Sequence, residues 1–169
     1  MKRILCVVSC VVSVAAITVH GAGAKSDSTL ADSVVVFKAK RQMILFAGGD
    51  TLKLYRVALG KSPVGAKQRE GDMKTPEGRY SIDSRNVDSK YHRSLHISYP
   101  NAVDRRRADS LQVKPGGDIM IHGLPKGYEW LGFTHRYYDW TWGCIAVTNE
   151  EIDEIWHLCP DGTPILIYP

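Results

Sequence analysis

Short apolar segments separated by turn-forming residues constrain the fold of this chain most strongly. Val34–Phe37 and Met43–Phe46 are apolar runs, and Leu52–Leu59 alternates in part between apolar and polar residues. Runs of this length between clusters of Gly, Pro, Asn or Asp are typical of β-strands. Lys38–Gln42 and Gly48–Asp50 provide the connecting turns. The sequence therefore predicts an antiparallel meander of three strands.

Further strand candidates follow a loop that is rich in glycine, proline and charge, Gly60–Gly78. They are Tyr80–Asp83, Leu95–Tyr99, Asp118–Ile121 and the closing segment Pro164–Tyr168. Each is short and is followed by a turn signal. A chain built mostly from such segments belongs to the mainly β class, and no internal repeat interrupts the pattern.

The clearest helix lies near the C-terminus. Thr148 and Glu151 have the spacing of a capping box, in which each side chain bonds the other residue's backbone amide. One apolar face follows at helical spacing, made of Ile152, Ile155, Trp156 and Cys159. Pro160 and Gly162 then end the helix. A second short helix is expected on the surface within Pro100–Gly117. The predicted fold is thus mainly β with short helices, one of them amphipathic.

The N-terminal segment differs from the rest of the chain. Lys2 and Arg3 precede an apolar run, Ile4–Val19, and the small residues of Gly21–Ala24 follow it. This order is typical of a secretory signal peptide, and a spanning helix usually needs about 20 apolar residues. We therefore expect a signal peptide over residues 1–24, with an uncleaved anchor as the alternative, a linker over 25–33 and a catalytic domain over 34–169.

Composition sets the class of partner and the cysteine chemistry. The formal net charge is +4 and the basic residues form one short run, Arg105–Arg107, so we expect no nucleic-acid partner. Removal of residues 1–24 would leave Cys144 and Cys159. Two cysteines make no disulfide framework, although export permits one bond. A thiol retained in an oxidising compartment raises the question of its reactivity.

Cys144 is the candidate nucleophile. It follows Gly143 and precedes a short apolar run, and a glycine there lets backbone amides approach a developing oxyanion. A free thiol has a pKa of about 8.5, so it needs a base or a cation to react near neutral pH. His122 is the candidate base because it ends the strand Asp118–Ile121, at the rim of the predicted sheet.

Other interpretations remain open from the residues alone. A cysteine before an apolar strand is often a buried small hydrophobe, which is the alternative for Cys144. Cys159 lies on the apolar face of the predicted helix, so core packing is favoured for it. His135 and Arg136 are either a second catalytic or substrate-binding pair or residues of a solvated loop. A zinc site built from Cys144 with His92, His96 and His122 lacks the tight ligand spacing of known zinc sites.

Two linked motifs resemble the L,D-transpeptidase (YkuD) catalytic domain family. These are Ile121-His122-Gly123 and Thr141-Trp142-Gly143-Cys144-Ile145, the second followed by Thr148-Asn149. The upstream loop is also similar to that family, and the resemblance covers Val34–Pro169. The matching positions of the loop and the closing turn are Leu59-Gly60, Pro63–Gly65, Gly71-Asp72, Thr75–Tyr80 and Asp161–Pro164.

The resemblance implies a YkuD-like β-sandwich or mixed sheet with the cysteine in a pocket under a loop. It also implies attack on the carbonyl between a diamino acid and D-alanine in a peptidoglycan stem, through a thioester. Cys144 would be the nucleophile, His122 the base, and the Gly123 carbonyl would orient the His122 ring. The amides of Gly143 and Cys144 would form the oxyanion hole, with no metal and no cofactor. Candidate substrate contacts are Thr141, Trp142, His135 and Arg136.

Two departures from the family pattern leave the acyl acceptor open. Trp142 stands where many members have a second histidine, and Ala146 stands where many have arginine. This form is closer to a subgroup that includes an enzyme releasing the outer-membrane lipoprotein from peptidoglycan. An amine acceptor gives a transpeptidase. Water gives an L,D-carboxypeptidase or an amidase that releases wall-bound lipoprotein, and a third hypothesis is a non-catalytic wall-binding module.

The expected partners and location follow from the same resemblance. We expect peptidoglycan stem peptides as partners, with a wall-linked lipoprotein as an additional one, and a monomeric protein. With the signal peptide, the resemblance predicts the periplasm of a Gram-negative bacterium. An uncleaved signal would tether the protein to the inner membrane.

Overall fold

One eight-stranded sheet carries the fold. The computed structural model describes residues 29–169, so the predicted signal peptide lies outside the described residues. The elements are β1 (Ser33–Phe37), β2 (Gln42–Ala47), β3 (Asp50–Arg56), β4 (Gly78–Ser89), β5 (His92–Ile97), α1 (Ala102–Ser110), β6 (Met120–His122), a 3₁₀ helix (Glu129–Tyr137), β7 (Ile145–Ala146), α2 (Asn149–Leu158) and β8 (Pro164–Tyr168). The predicted mainly β class with short helices is confirmed.

The sheet joins the two halves of the chain through its last strand. Its order is β3-β2-β1-β8-β4-β5-β6-β7. β1 and β3 both pair antiparallel with β2, which confirms the predicted meander. β8 runs parallel to β1 and antiparallel to β4, so the C-terminal strand lies between the meander and the second half of the sheet. β6 and β7 are parallel neighbours.

Several elements differ from the expectations, among them β3, which ends at Arg56 rather than Leu59, and β6, which covers Met120–His122 rather than Asp118–Ile121. β4 extends to Ser89, whereas its sequence signal ends at Asp83, because its second half is polar and largely exposed. β5 covers His92–Ile97 rather than Leu95–Tyr99. The 3₁₀ helix Glu129–Tyr137 has no sequence prediction, and Gly132 interrupts its helical backbone.

The N-terminal edge of the domain begins within the predicted linker. The Ala31 amide donates to the Leu158 carbonyl at 2.8 Å, and Ala31 is buried. The Asp32 carboxylate accepts a hydrogen bond from the Gly48 amide at 2.6 Å. Ser33 is already the first residue of β1. Residues 31–33 therefore contact the folded domain.

α2 covers one face of the second half of the sheet. Its capping box between Thr148 and Glu151 is present, as predicted. Its buried Ile152 and Ile155 lie in the same core cluster as the fully buried sheet residues Leu95, Ile121 and Ile145. Those three residues align across neighbouring strands, since Leu95 pairs with Ile121 and Ile121 with Ile145. Cys159, directly after α2, is also fully buried in this core.

The opposite face of the same strands is polar. Side chains alternate between the faces of a strand, so the neighbours of Leu95 and Ile121 point away from α2. Ser94 pairs with His122 and His96 pairs with Met120 on this second face. α1 lies outside the sheet and is anchored by its buried Asp104, which accepts from the Tyr80 hydroxyl at 3.1 Å. Within residues 29–169, no helix has the length and apolarity to cross a membrane.

Candidate active site

Cys144 is presented by a turn that two hydrogen bonds hold in shape. The Thr141 hydroxyl donates to the Cys144 carbonyl at 2.7 Å and accepts from the Gly143 amide at 3.1 Å. Gly143 has a φ of 128°, and a Cβ there would lie 2.6 Å from the Lys74 carbonyl oxygen. Only glycine fits this close approach without moving the loop. The turn and the Gly60–Gly78 loop therefore fix the position of Cys144 together.

Cys144 directly precedes β7 and is partly exposed. Its thiol donates to the Asp118 carbonyl with a sulfur–oxygen distance of 3.5 Å. Burial raises the pKa of the thiol, a hydrogen bond from the Met120 amide opposes that rise, and the Asp118 carboxylate adds to it. Cys144 is therefore a neutral thiol at neutral pH, and its reaction needs a base.

His122 has the protonation state that a base requires. Its Nδ1 lies 2.7 Å from the Gly123 carbonyl oxygen, which can only accept a hydrogen bond. Nδ1 therefore carries the proton, and Nε2 has a free lone pair. Burial lowers the pKa of His122 to about 4, which the Gly123 carbonyl only partly offsets. The ring is neutral at neutral pH and ready to accept a proton.

The register brings His122 and Cys144 to one face of the sheet. Ile121 pairs with Ile145 and His122 with Ala146, so one further step places Met120 beside Cys144. In a strand, residues two apart share a face, which puts His122 on the same face as Met120. The 20 intervening residues between His122 and Gly143 leave the sheet and return beside β6, as the sequence predicts.

Gly123 is enclosed by the first turn of α2. A Cβ at this position would lie 2.6 Å from Asn149 Oδ1 and 3.0 Å from Ile152 Cγ2. Asn149 Oδ1 also accepts from the Leu124 amide at 2.8 Å. The carbonyl that orients His122 is therefore held by the packing of α2 against the segment that follows β6.

Two aromatic residues around His122 have no clear sequence signal. The Tyr91 ring centroid lies 4.5 Å from that of His122, and Trp140 makes an edge contact at 5.7 Å. Tyr91 comes from the turn between β4 and β5, far from His122 in sequence. Trp140 stands next to Thr141 in the cysteine motif, which is the one hint that sequence offers. These rings exclude water from the imidazole and help to keep it neutral.

His135 and Arg136 support the wall of the site. His135 is buried, and its Nδ1 accepts from Trp140 Nε1 at 3.3 Å. Burial, together with the charge of Arg136, lowers the pKa of His135 to about 4. Arg136 donates to the Glu151 carboxylate, which also caps α2. Both side chains thus brace the 3₁₀ segment, and the solvated-loop interpretation does not hold for His135.

Trp142 is the predicted substrate contact with the most accessible side chain. It is 66% exposed, and Lys61 Nζ lies 5.7 Å from its ring centroid. Thr141, in contrast, is buried and uses its hydroxyl within the cysteine turn. An apolar cavity of about 490 Å³ lies behind Trp140, lined also by Leu124, Tyr128, His135 and Tyr138.

The turn at Cys144 occupies one of the two amides predicted to form the oxyanion hole. The Gly143 amide donates to the Thr141 hydroxyl, so it is occupied in this conformation. The Cys144 amide has no hydrogen-bond partner among residues 29–169. Of the two amides predicted for the oxyanion hole, only that of Cys144 is therefore free in this conformation, while Gly143 permits the turn.

Comparison with known proteins decides the family. The family model described as the L,D-transpeptidase catalytic domain (YkuD) matches residues 31–167. The chain belongs to the YkuD family. YafK from Escherichia coli (strain K12), which its name places among the L,D-transpeptidases, is 33% identical over 128 residues. That alignment covers 72% of this chain and 44% of YafK, so this YkuD chain spans less than half the length of that relative.

Solved structures share the fold of this YkuD domain. The helical cell shape determining protein Pgp2 (K307A mutant) from Campylobacter jejuni matches with a TM-score of 0.60 and 24% identity, covering 81% of this chain and 46% of Pgp2. An L,D-transpeptidase from Xylanimonas cellulosilytica matches with a TM-score of 0.52 and 17% identity, covering 84% of this chain and 62% of that structure. These likenesses show the YkuD fold.

Proposed function

We propose that this YkuD domain is a peptidoglycan L,D-transpeptidase-type cysteine acyltransferase that acts on stem peptides through a thioester at Cys144. The supporting observation is the 2.7 Å contact between His122 Nδ1 and the Gly123 carbonyl oxygen. It leaves Nε2 as the free base on the sheet face that carries the thiol. A backbone carbonyl here takes the orienting role that a carboxylate has in other triads.

The first half-reaction forms the thioester. Nε2 of His122 takes the thiol proton while Sγ of Cys144 bonds to the carbonyl carbon of the diamino acid. The Cys144 amide donates to the resulting oxyanion. The C–N bond to D-alanine then breaks, and the departing amine takes the proton from His122. The imidazolium exists only transiently, stabilised by the Gly123 carbonyl.

The second half-reaction releases the acyl group. A neutral amine of a second stem peptide attacks the thioester, and His122 Nε2 takes one of its protons. The C–S bond breaks, and the same proton returns to Sγ. The products are a cross-linked peptide and the free Cys144 thiol.

The second candidate is a cysteine hydrolase at the same site, in which water replaces the amine. The fully buried Ala146 favours it, because no cationic side chain stands where many family members have arginine. Its products are a shortened stem, from an L,D-carboxypeptidase, or freed wall-bound lipoprotein, from an amidase. For both candidates we propose export to the periplasm through residues 1–24 and a monomeric protein.

A product assay tests the proposal. The mature protein and a Cys144→Ala control are incubated with isolated peptidoglycan and defined tetrapeptide muropeptides, and products are identified by mass spectrometry. Cys144-dependent cross-linked dimers or exchange of the terminal D-amino acid support the transferase. Shortened or protein-freed stems without new cross-links support the hydrolase instead.

A thiol probe separates both enzymes from a wall-binding module. A carbapenem or a thiol-reactive reagent is added to the folded protein, and the adduct is located by peptide mapping. We expect one adduct at Cys144 and none at the buried Cys159. A folded protein that binds peptidoglycan without forming any Cys144 adduct would contradict both enzyme proposals.

A further inference from the structure

A polar groove crosses the sheet on the face that carries His122 and Cys144. Alternate residues of β4, β5 and β6 meet there, since Ser84 pairs with His96 and Asn86 with Ser94. We call this the β4–β6 groove. It has a volume of about 300 Å³ and is lined by Ser84, Arg85, Asn86, Ser94, His96, Asp118 and Met120. The Arg85 guanidinium is engaged elsewhere, by the Asp161 carboxylate and the Trp156 and Cys159 carbonyls.

The groove adjoins both reacting groups. At one point of its wall the Asp118 carbonyl accepts from the Cys144 thiol at 3.5 Å. At another, Ser94 is the direct register partner of His122 across β5 and β6. The β4–β6 groove is therefore adjacent to Cys144 through Asp118 and to His122 through Ser94, although neither reacting residue lines it.

Without a bound cation, the Asp118 carboxylate disfavours the thiolate form of Cys144. Its negative charge raises the pKa of the Cys144 thiol. Within the described part of the chain, no cation and no hydrogen-bond donor pairs with this exposed carboxylate. The neighbouring Asp83 is already engaged, since its carboxylate lies 2.5 Å from His96 Nδ1. A positively charged group bound in the groove would be attracted to this carboxylate and would offset its effect on the thiol.

The Ser94 hydroxyl is a second, independent polar group in the wall. Ser94 is 1% exposed, and it lines the groove. Among residues 29–169, its hydroxyl has no hydrogen-bond partner. The enclosed side-chain atoms without a partner in this part of the chain are His135 Nε2 and Arg136 Nε, so the Ser94 hydroxyl counts instead as a group open to the groove, able to hydrogen-bond a ligand bound there.

We propose that the β4–β6 groove binds a primary amine of the substrate, with Asp118 as its charge partner and Ser94 as a hydrogen-bonding group. This inference rests on the proposed function, whose substrates contain such amines. The amine has two sources: the side chain of the donor's diamino acid, or the attacking amine of the acceptor. In the second case the ammonium first releases one proton to solvent, and His122 then takes the second during attack.

Asp118→Asn tests the charge, and Glu150→Gln is its matched control. Asn tolerates the left-handed backbone at this position, where φ is 54°, so the substitution removes charge and keeps shape. Glu150 is an exposed carboxylate on α2, on the other side of the sheet. Ser94→Ala is the companion variant for the hydroxyl.

The first arm tests the donor. Acylation of Cys144 is followed by mass spectrometry with two stem tetrapeptides that differ only in acetylation of the diamino acid's side-chain amine. If the donor amine occupies the groove, the free amine is favoured by about tenfold in kcat/KM, as one charge-assisted contact provides. Asp118→Asn then reduces this ratio towards one, and Glu150→Gln retains it.

The second arm tests the acceptor. A preformed Cys144 thioester is mixed with an amine acceptor, and the ratio of aminolysis to hydrolysis is measured. If the acceptor amine occupies the groove, Asp118→Asn lowers this ratio by about tenfold and Ser94→Ala lowers it less. If Asp118→Asn changes neither the donor ratio nor the aminolysis ratio more than Glu150→Gln does, the inference is overturned while the acyltransferase proposal stands.

A binding measurement keeps the inference testable without turnover. The Cys144→Ala protein is titrated with Nα-acetyl-lysine amide and, as the neutral match, Nα-acetyl-norleucine amide. We expect salt-sensitive NMR shifts at the Ser94 and Asp118 amides with the lysine probe only, and their loss in Asp118→Asn. Equal shifts with both probes, or none, would refute the amine subsite whether or not the enzyme is active.

Discussion

The two faces of β5, β6 and β7 carry different properties although the same short strands form both. On one face Leu95, Ile121 and Ile145 are fully buried under α2. On the other, Ser94 lines a polar groove, and His122 and Cys144 form the proposed reaction centre next to it. A shift of register by one residue would exchange the faces, so core packing against α2 also determines where the chemistry lies.

This division implies that stability and catalysis are separable by residue. A substitution on the α2 face should lower the free energy of unfolding and spare the chemistry of the folded molecules. A substitution on the groove face should do the reverse. The buried His122 and His135 are the exception, because their burial makes the free energy of unfolding depend on their protonation.

Cys144→Ala should abolish acylation completely, since the thioester has no other sulfur at this position. We expect the melting temperature to change little, because the side chain is partly exposed and only its sulfur is lost. Cys159→Ala, in the core on the α2 face, should instead cost about 1 kcal/mol and keep the Cys144 adduct. Carbapenem labelling and thermal melts measure both effects. An adduct that persists in Cys144→Ala would refute the nucleophile assignment.

His122→Ala should lower the acylation rate by roughly 10²–10⁴-fold, the usual contribution of a positioned general base. Single-turnover labelling at pH 7 measures this rate, and circular dichroism checks the fold. For the same reason, acylation by the native protein should fall with decreasing pH as His122 is protonated near its pKa of about 4. An unchanged rate in His122→Ala would move the base role to another residue.

Ile121→Ala should destabilise the protein by about 2–5 kcal/mol, since it leaves a cavity in the core under α2. Met120→Ala, one residue earlier on the groove face, should cost less because Met120 is only partly buried. Urea unfolding provides both values. Equal losses of unfolding free energy at the two positions would contradict the difference between the two faces.

Stability should fall as the pH decreases from about 6.5 to about 4. Burial lowers the pKa of both His122 and His135 to about 4, so the folded protein keeps them neutral in this interval. Unfolded histidines have a pKa of about 6.5 and take up protons there, which favours unfolding. Urea unfolding across this range should show a weaker pH dependence in His135→Phe than in the exposed control His157→Gln. If the unfolding free energies of the two variants fell equally with pH, the contribution of His135 would be refuted.

Thr141→Val should cost about 1–3 kcal/mol, because the buried Gly143 amide and Cys144 carbonyl lose their hydroxyl partner. The acylation rate should fall as well, since the turn positions the thiol. Thr141→Ser restores the hydroxyl and should recover most of both properties. If Thr141→Val kept the stability and acylation rate of the native protein while Thr141→Ser lost them, the methyl group and not the hydroxyl would matter at this position.

Local signals predicted much of the fold. The capping box at Thr148 and the apolar face of α2 depend on residues within one helix, so the sequence contains the whole signal. The meander of β1 to β3 has short turns and clear apolar runs. The second half of β4 and the 3₁₀ helix were missed, because exposed polar strands and short 3₁₀ turns have no distinctive periodicity.

The site was predicted in part. The His122-Gly123 and Gly143-Cys144 motifs give the candidate base and nucleophile through resemblance, and both roles stay predictions for the experiments above. Tyr91, Trp140 and Asn149 contact the site from separate elements, and no spacing in the chain predicts those contacts. The occupied Gly143 amide also requires the three-dimensional turn.

The sequence by itself determined the mainly β class, the capped C-terminal helix and the motifs that carry the family, because each depends on neighbouring residues. Only the tertiary structure decided which residues share a face with Cys144, since that depends on the pairing of strands that are distant in sequence. It also decided that His122 is neutral, because burial by Tyr91 and Trp140, not the residue type, lowers its pKa. The contact between the Asp118 carbonyl and the Cys144 thiol likewise depends on the tertiary structure.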